Sequence, residues 1–127
     1  MSRTRLNAAQ LIDLALDEGS WTSWDTPPDR TGLDERYAAE LAAAEERSGV
    51  DESVLTGEGR ITGRRVAVVV GEFSFLAGSI GRAAADRLVA AVARATREGL
   101  PLLAAPVSGG TRMQEGTPAF VQMVRIS

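Results

Sequence analysis

Nine residues carry the strongest chemical signal in the chain: Ser108-Gly109-Gly110-Thr111-Arg112-Met113-Gln114-Glu115-Gly116. An apolar stretch, Leu100 to Val107, precedes them, and an apolar-periodic segment, Met113 to Ile126, follows. The pattern reads as a strand, a tight glycine turn and the start of a helix. Adjacent glycines let a ligand approach the backbone because no Cβ stands in the way. The N–H groups at a helix start lack intrahelical acceptors, and the helix dipole favours negative charge there. Such a turn can hold an oxyanion. On its glycines alone, it more often only joins two elements.

The composition narrows the chemistry by what it lacks. The chain has 127 residues, a net charge of −3 and neither cysteine nor histidine; every basic side chain is arginine. Without cysteine there is no disulfide, thiolate nucleophile or Cys-based zinc site, and no metal site is expected. Without histidine there is no Ser-His-Asp triad. Without lysine there is no Schiff base and no Walker-type phosphate lysine. Carboxylates, arginines, hydroxyls and backbone dipoles remain, and catalysis by backbone dipoles suits that inventory best. No basic stripe supports nucleic-acid binding, and no apolar run reaches the length of a membrane span. The N-terminal residues lack a signal-peptide core, so a cytoplasmic location is expected.

The elements that must position the turn follow from periodicity. A first helix is expected over Asn7 to Asp17, with Asn7 as N-cap, Gln10 completing a capping box, and Leu11, Ile12, Leu14, Ala15 and Leu16 as a broad apolar face. Trp21 and Trp24 flank a turn-rich stretch containing Pro27-Pro28 and read as packing anchors rather than ligand platforms. An alanine-rich second helix is expected over Tyr37 to Ser48, stopped by Gly49, with Glu40, Glu45, Glu46 and Arg47 on its solvated side. A β-hairpin follows, with arms Val54–Ile61 and Arg65–Val70 about a Thr62-Gly63 turn; its run of valines predicts a strand buried on both faces. Gly57 and Gly59 have the wrong spacing to Gly63 for a nucleotide fingerprint, and no helix follows them.

Gly78-Ser79-Ile80-Gly81 opens a third helix, running to about Glu98. Its stripe is Ile80, Ala84, Leu88, Ala91, Val92 and Ala95, while Arg82, Asp86, Arg94, Arg97 and Glu98 face away. Gly99 and Pro101 stop it. Strand, helix, strand in this order is a βαβ crossover with parallel strands. Ala77 to Gly81 lies one residue from a Gly-x-Ser-x-Gly elbow, but no histidine is present to activate Ser79. Pro118 breaks the final helix or begins a fresh one capped by Thr117.

The nonapeptide closely resembles the signature of the carboxyltransferase β subunits of biotin-dependent acyl-CoA carboxylases, such as acetyl-CoA and propionyl-CoA carboxylases. Phe73-Ser74-Phe75-Leu76-Ala77-Gly78-Ser79-Ile80-Gly81 resembles that family's Phe-x-Phe-x-Gly-Gly-Ser-x-Gly segment, with Ala77 in place of the first glycine. Val54 to Ile61 is similar to its hairpin and Leu14 to Trp21 to its leader. The absence of cysteine places the resemblance with the branch that lacks a zinc ribbon.

The resemblance implies an α/β, crotonase-like (ClpP/crotonase) β-β-α spiral, present in part and preceded by two N-terminal helices. Residues 1–52 form the helical leader and residues 53–127 the opening portion of the acyl-CoA-binding domain. It implies transfer of a carboxyl group from carboxybiotin to the α-carbon of an acyl-CoA, in fatty acid biosynthesis. Gly109 and Gly110 become the oxyanion-hole donors. Gly78, Ser79, Ile80 and Gly81 lie on the CoA side, where Ser79 could equally serve only as a helix cap. Ser108, Arg112 and Glu115 support the turn. Biotin is expected on a partner carrier protein, not bound by this portion. The expected partners are the acyl-CoA, the remaining carboxyltransferase half or an α-type subunit, the biotin carboxyl carrier and biotin carboxylase subunit, and further copies in a full-length homo-oligomer. Two other readings remain: a different crotonase-like acyl-CoA enzyme, such as a decarboxylase or hydratase, and a catalytically silent fragment that binds a partner.

Overall fold

A computed structural model describes residues 7–76 and 81–105. Two helices come first, α1 (Ala8–Ala15) and α2 (Glu35–Ser48), with a two-residue strand β1 (Thr22–Ser23) between them. The hairpin β2 (Val54–Ile61) and β3 (Arg64–Gly71) follows, then α3 (Arg82–Glu98) and β4 (Leu102–Ala105). The four strands form one sheet in the order β1-β2-β3-β4. The first two pairings are antiparallel, and β3 pairs β4 in parallel across the α3 crossover.

Local chemistry sets most boundaries. Asn7 and Gln10 form the reciprocal capping box, each side chain accepting the other residue's backbone N–H, at 2.8 and 2.9 Å. The helix stops at Ala15 rather than Asp17, because Leu16 is already extended. Its apolar stripe is therefore narrower than its composition suggests: Ile12 and Leu16 are buried, whereas Leu14 is 73% exposed. Helix α2 starts two residues earlier than expected, since the Asp34 side chain caps Tyr37 at 2.8 Å. Gly49 and Gly99 end α2 and α3 in the left-handed region, at φ 75° and 68°.

Thr62 and Gly63 both adopt positive φ, 53° and 81°, which is the pair of backbone states a two-residue hairpin turn of matching twist requires. The Asp17 carboxylate accepts both of their N–H groups, at 3.0 and 2.8 Å, so the leader itself braces the turn.

Val66 through Val70 are buried without a break. Val66, Val68 and Val70 meet Ile12 and Leu16 of the leader on one face. Val69 meets Val54 and the alanines Ala84, Ala85 and Ala91 of α3 on the other. Each such valine contributes roughly 1.5–3 kcal/mol relative to an exposed one. A third cluster joins Tyr37, Leu41 and Ala44 of α2 to the fully buried Phe75. Val92, expected in the apolar stripe of α3, is 43% exposed; the helix presents its alanines to the sheet instead, which lets the two backbones come close.

The leader lies on the hairpin backbone to backbone. A Cβ on Gly57 would meet the Thr22 carbonyl and stand 2.5 Å from Trp21 Cη2, and a Cβ on Gly59 would run into a Leu16 methyl. These glycines are contact surfaces, in keeping with the rejection of a nucleotide fingerprint. We predict that Gly57→Ala destabilises the chain by about 3 kcal/mol, since carbonyl and indole cannot both yield. Gly59→Ala should cost about 1 kcal/mol, because a leucine side chain can change rotamer. Urea denaturation of both variants checks the order; equal losses would contradict it.

Candidate functional site

Helix α3 brings a charged residue into its alanine face. Arg87 follows Ala84 by three positions and precedes Ala91 by four, so helical spacing places it among them. It is only 8% exposed. Its guanidinium donates to the Val54 carbonyl at 2.8 Å, the Thr26 carbonyl at 3.0 Å and Asp51 Oδ1 at 2.8 Å. Its Nε lies 3.5 Å from Asp25 Oδ1. Asp25 in turn accepts from the Thr56 amide and hydroxyl, at 2.9 and 2.6 Å. One side chain thus ties α3 to the leader and to the start of β2.

Asp25, Thr56 and Arg87 of this network line a cavity of about 950 Å³ between residues 24–34 and α3. Trp24, Tyr37 and Leu41 contribute apolar wall, and Arg82 and Asp86 stand at the end where α3 begins.

A second cluster lies at the far end of α3. Arg65 donates to Glu58 at 2.8 Å and to Glu98 at 2.9 Å, and Arg94 donates to Glu98 at 2.7 Å. Arg94 also stacks over the Trp24 ring, 4.3 Å from its centroid, while Trp24 Nε1 donates to Glu58 at 3.3 Å. Arg94 and Glu98, expected to face away, therefore turn back onto the hairpin. The hydrogen bond from Arg65 holds the Glu58 carboxyl below the usual carboxylate range, with the Trp24 N–H and the charges of Arg65 and Arg94 adding to the effect against some desolvation. Glu98 is lowered likewise, first by its bond from Arg94 and then by Arg65. The two carboxylates raise Arg65 in return.

The residues ahead of the glycine-serine segment are held by a buried acid. Glu72 is 4% exposed. Its Oε1 accepts the Ala8 N–H at 2.9 Å, and its Oε2 accepts the Ser74 hydroxyl at 2.8 Å and the Ser74 amide at 3.3 Å. Its own amide donates to the Ser53 carbonyl at 2.7 Å. Of the residues expected at the substrate, Gly81 is placed: it is buried and forms the N-cap of α3. Ser79 stands two positions before that cap, so it is not the N-cap residue. Gly78, Ser79, Ile80, Ser108, Gly109, Gly110, Arg112 and Glu115 lie outside the described residues, as do Pro118 and the apolar segment after it.

Comparison with known proteins decides the family. The carboxyl transferase domain matches residues 1–127. This chain belongs to the carboxyl transferase domain family. The "Probable biotin-dependent acyl-coenzyme A carboxylase beta3 subunit" of Mycobacterium tuberculosis (strain ATCC 25618 / H37Rv) is 61% identical over 124 residues, which are 98% of this chain and 25% of that protein. The acetyl-coenzyme A carboxylase carboxyl transferase subunit beta of Chloroflexus aggregans is 38% identical over 129 residues, covering 97% of this chain and 42% of that one. Among solved structures, transcarboxylase 12S with methylmalonyl-coenzyme A and methylmalonic acid bound superposes with a TM-score of 0.78 at 26% identity, over 95% of this chain and 22% of that one. The fold is the crotonase-like α/β arrangement of the carboxyltransferases, here in part: three helices and a mixed sheet. The chain spans between a quarter and a half of the length of these curated relatives.

The sequence signature led to the family, yet it passed over the buried polar groups. Arg87 could have been found, because its register puts a charge on an apolar face. Glu72 gives no such signal: a polar neighbour such as Ser74 two residues on is ordinary for an exposed acid, and the partner that buries it, Ala8, lies 64 residues away.

Two outcomes follow from these networks. Arg87→Met should destabilise by about 3–5 kcal/mol, because it leaves the Asp25 and Asp51 carboxylates without their cation; chemical denaturation checks it. Glu58 and Glu98 have depressed native pKa values, so below the ordinary carboxylate value the unfolded chain binds more protons than the native one. Their stabilisation is complete above that value and is lost as pH falls through the depressed one. Thermal unfolding from about pH 5 downward should show a falling Tm, and Glu58→Gln should flatten that slope.

Proposed function

We propose that these residues form the acyl-CoA half-site of the carboxyltransferase component of a biotin-dependent acyl-CoA carboxylase. The observation that carries the reading is the nonapeptide Ser108–Gly116 within a chain that is 61% identical over 124 residues to a "Probable biotin-dependent acyl-coenzyme A carboxylase beta3 subunit". The likeness to transcarboxylase 12S, whose structure holds methylmalonyl-coenzyme A, supports an acyl-CoA as substrate. We keep the division into a leader, residues 1–52, and an acyl-CoA-binding portion from residue 53, with the leader supplying one strand of the shared sheet.

In this reading the thioester carbonyl oxygen faces the Gly109 and Gly110 N–H groups. Loss of the α-proton moves the C–H electron pair into an enolate, and the charge settles on that oxygen. Donors already aimed at it stabilise the charge as it develops without having to reorganise. The α-carbon then forms the new bond to the carboxyl carbon. Gly78 to Gly81 contact the CoA side, Gly81 at the entrance to α3. Ser108, Arg112 and Glu115 hold the turn. Carboxybiotin, delivered on a carrier protein, would supply the carboxyl group by breaking its N–carboxyl bond, and the ureido nitrogen so freed would take the α-proton. In this reading the biotin half of the site belongs to a partner portion of the enzyme, in a full-length homo-oligomer working in the cytoplasm.

The test uses a full-length carboxyltransferase carrying these 127 residues. Gly110→Pro removes one donor N–H, and Gly109→Val puts a branched side chain in the path of the thioester. Turnover should fall about 10²–10³-fold for the proline variant, more than acyl-CoA binding weakens. Ser79→Ala should stay largely active. A folded Gly110→Pro enzyme with normal carboxyl transfer, beside an inactive Ser79→Ala enzyme, would reject the oxyanion assignment.

A further inference from the structure

Glu72 is a charged side chain that the proposed chemistry does not use, and it is nine-tenths or more buried. It follows directly on β3 and precedes Phe73–Leu76, the described residues that lead toward Gly78-Ser79. Its two carboxylate oxygens serve different parts of the molecule. One takes the Ala8 N–H, a donor at the start of α1 with no partner inside its own helix; the other takes the Ser74 hydroxyl and amide. The capping box spends the Asn7 side chain on Gln10, so the acceptor for Ala8 comes from 64 residues away. A carboxylate at a helix N-terminus also meets the positive end of the dipole.

The segment it holds is also anchored through its aromatic side chain. Phe75 is fully buried among Tyr37, Leu41 and Ala44, and its amide donates to the Glu72 carbonyl at 3.2 Å. Leu76 then takes φ 46°, a left-handed state that a branched side chain adopts only where its surroundings impose it. Glu72 fixes the start of this turn, its carboxylate to the leader helix and its amide to the Ser53 carbonyl beside β2.

We propose that Glu72 is a positioning residue: its carboxylate couples the docking of α1 to the geometry of the Phe73–Leu76 turn. It thereby sets where the chain departs toward the acyl-CoA, a consequence that rests on the acyl-CoA half-site reading above. The coupling is reciprocal, so a change at either end must be felt at the other.

Ala8→Pro cuts the bond at the helix end. Ala8 is the first helical residue, where proline is well accepted, and Asn7 before it is already extended at φ −82° and ψ 171°. The variant removes the N–H given to Glu72 but also adds ring carbons at a fully buried position, so Glu72→Gln, which keeps the volume, is its control. Ser74→Ala removes the hydroxyl at the opposite end, and because Ser74 is exposed it does not disturb the core. Amide hydrogen exchange on this chain is the first measurement. Ala8→Pro should speed exchange at Phe75, and Ser74→Ala at Leu11 in α1, each by about tenfold. Glu72→Gln should do both. If each cut speeds exchange only at its own end, the proposal is overturned. The second measurement is steady-state kinetics in the full-length enzyme carrying the same variants. KM for the acyl-CoA should rise several-fold with a smaller change in kcat. Coupled exchange with an unchanged KM would leave Glu72 a brace of the fold and overturn its positioning role. If the unmutated enzyme turns over no acyl-CoA, the half-site reading fails instead, and hydrogen exchange alone still decides whether the two ends are coupled.

Discussion

Everything in this chain depends on how closely the leader can lie against β2. Backbone meets backbone there because Gly57 and Gly59 present no side chain, and Trp21 and Leu16 fill the space a Cβ would take. That contact lets Thr22 and Ser23 join the sheet and brings Asp25 to Thr56. With Asp25 in place, Arg87 of α3 finds one of its two counter-charges, and the sheet is gripped from its second face. The hydrophobic clusters supply the larger share of burial. The close approach decides which polar groups come within reach of each other, and unpartnered buried polar groups are costly enough to make that decision binding.

The legible parts of the sequence are those whose partners sit nearby. Asn7 and Gln10 declare a capping box because both halves lie within one turn. The valine run with Thr62-Gly63 declares a hairpin because register and turn chemistry agree. Gly49 and Gly99 declare helix ends. Strand β1 was not legible: two polar, exposed residues have no periodicity, and they are a strand only because Glu58 and Gly57 lie opposite. Pro27-Pro28 rightly argued against regular structure beyond it. The exposure of Leu14 and Val92 was also hidden, since hydropathy names a face without saying how wide the neighbour covering it is. For the site, the division is sharper. The signature segments were legible as a family resemblance, and the chemistry read from their glycines stays a proposal. The groups around them, Glu72 above all, were not, because a decisive partner such as Ala8 lies 64 residues away along the chain.

Two kinds of charged assembly serve different ends. The Arg87 network is buried and joins three elements, so it fixes geometry. The group formed by Glu58, Arg65, Arg94 and Glu98 is half-open to water, and Trp24 lies under one of its cations. Exposed ion pairs contribute little singly; these share partners, and a guanidinium matches a carboxylate in shape as well as charge. The use of arginine for every cation suits such shared, planar contacts.

The strand order has a consequence for how the chain acquires its structure. From β1 to β3 spatial order repeats sequence order, so each pairing closes a short or moderate loop. The β2–β3 hairpin needs only its two-residue turn, whereas β4 can pair with β3 only after all of α3 has been laid across the sheet. On a growing chain the hairpin and its leader are complete while α3 is still being made. For that interval the outer edge of β3, apolar on both faces, waits for a neighbour that has yet to emerge from the ribosome.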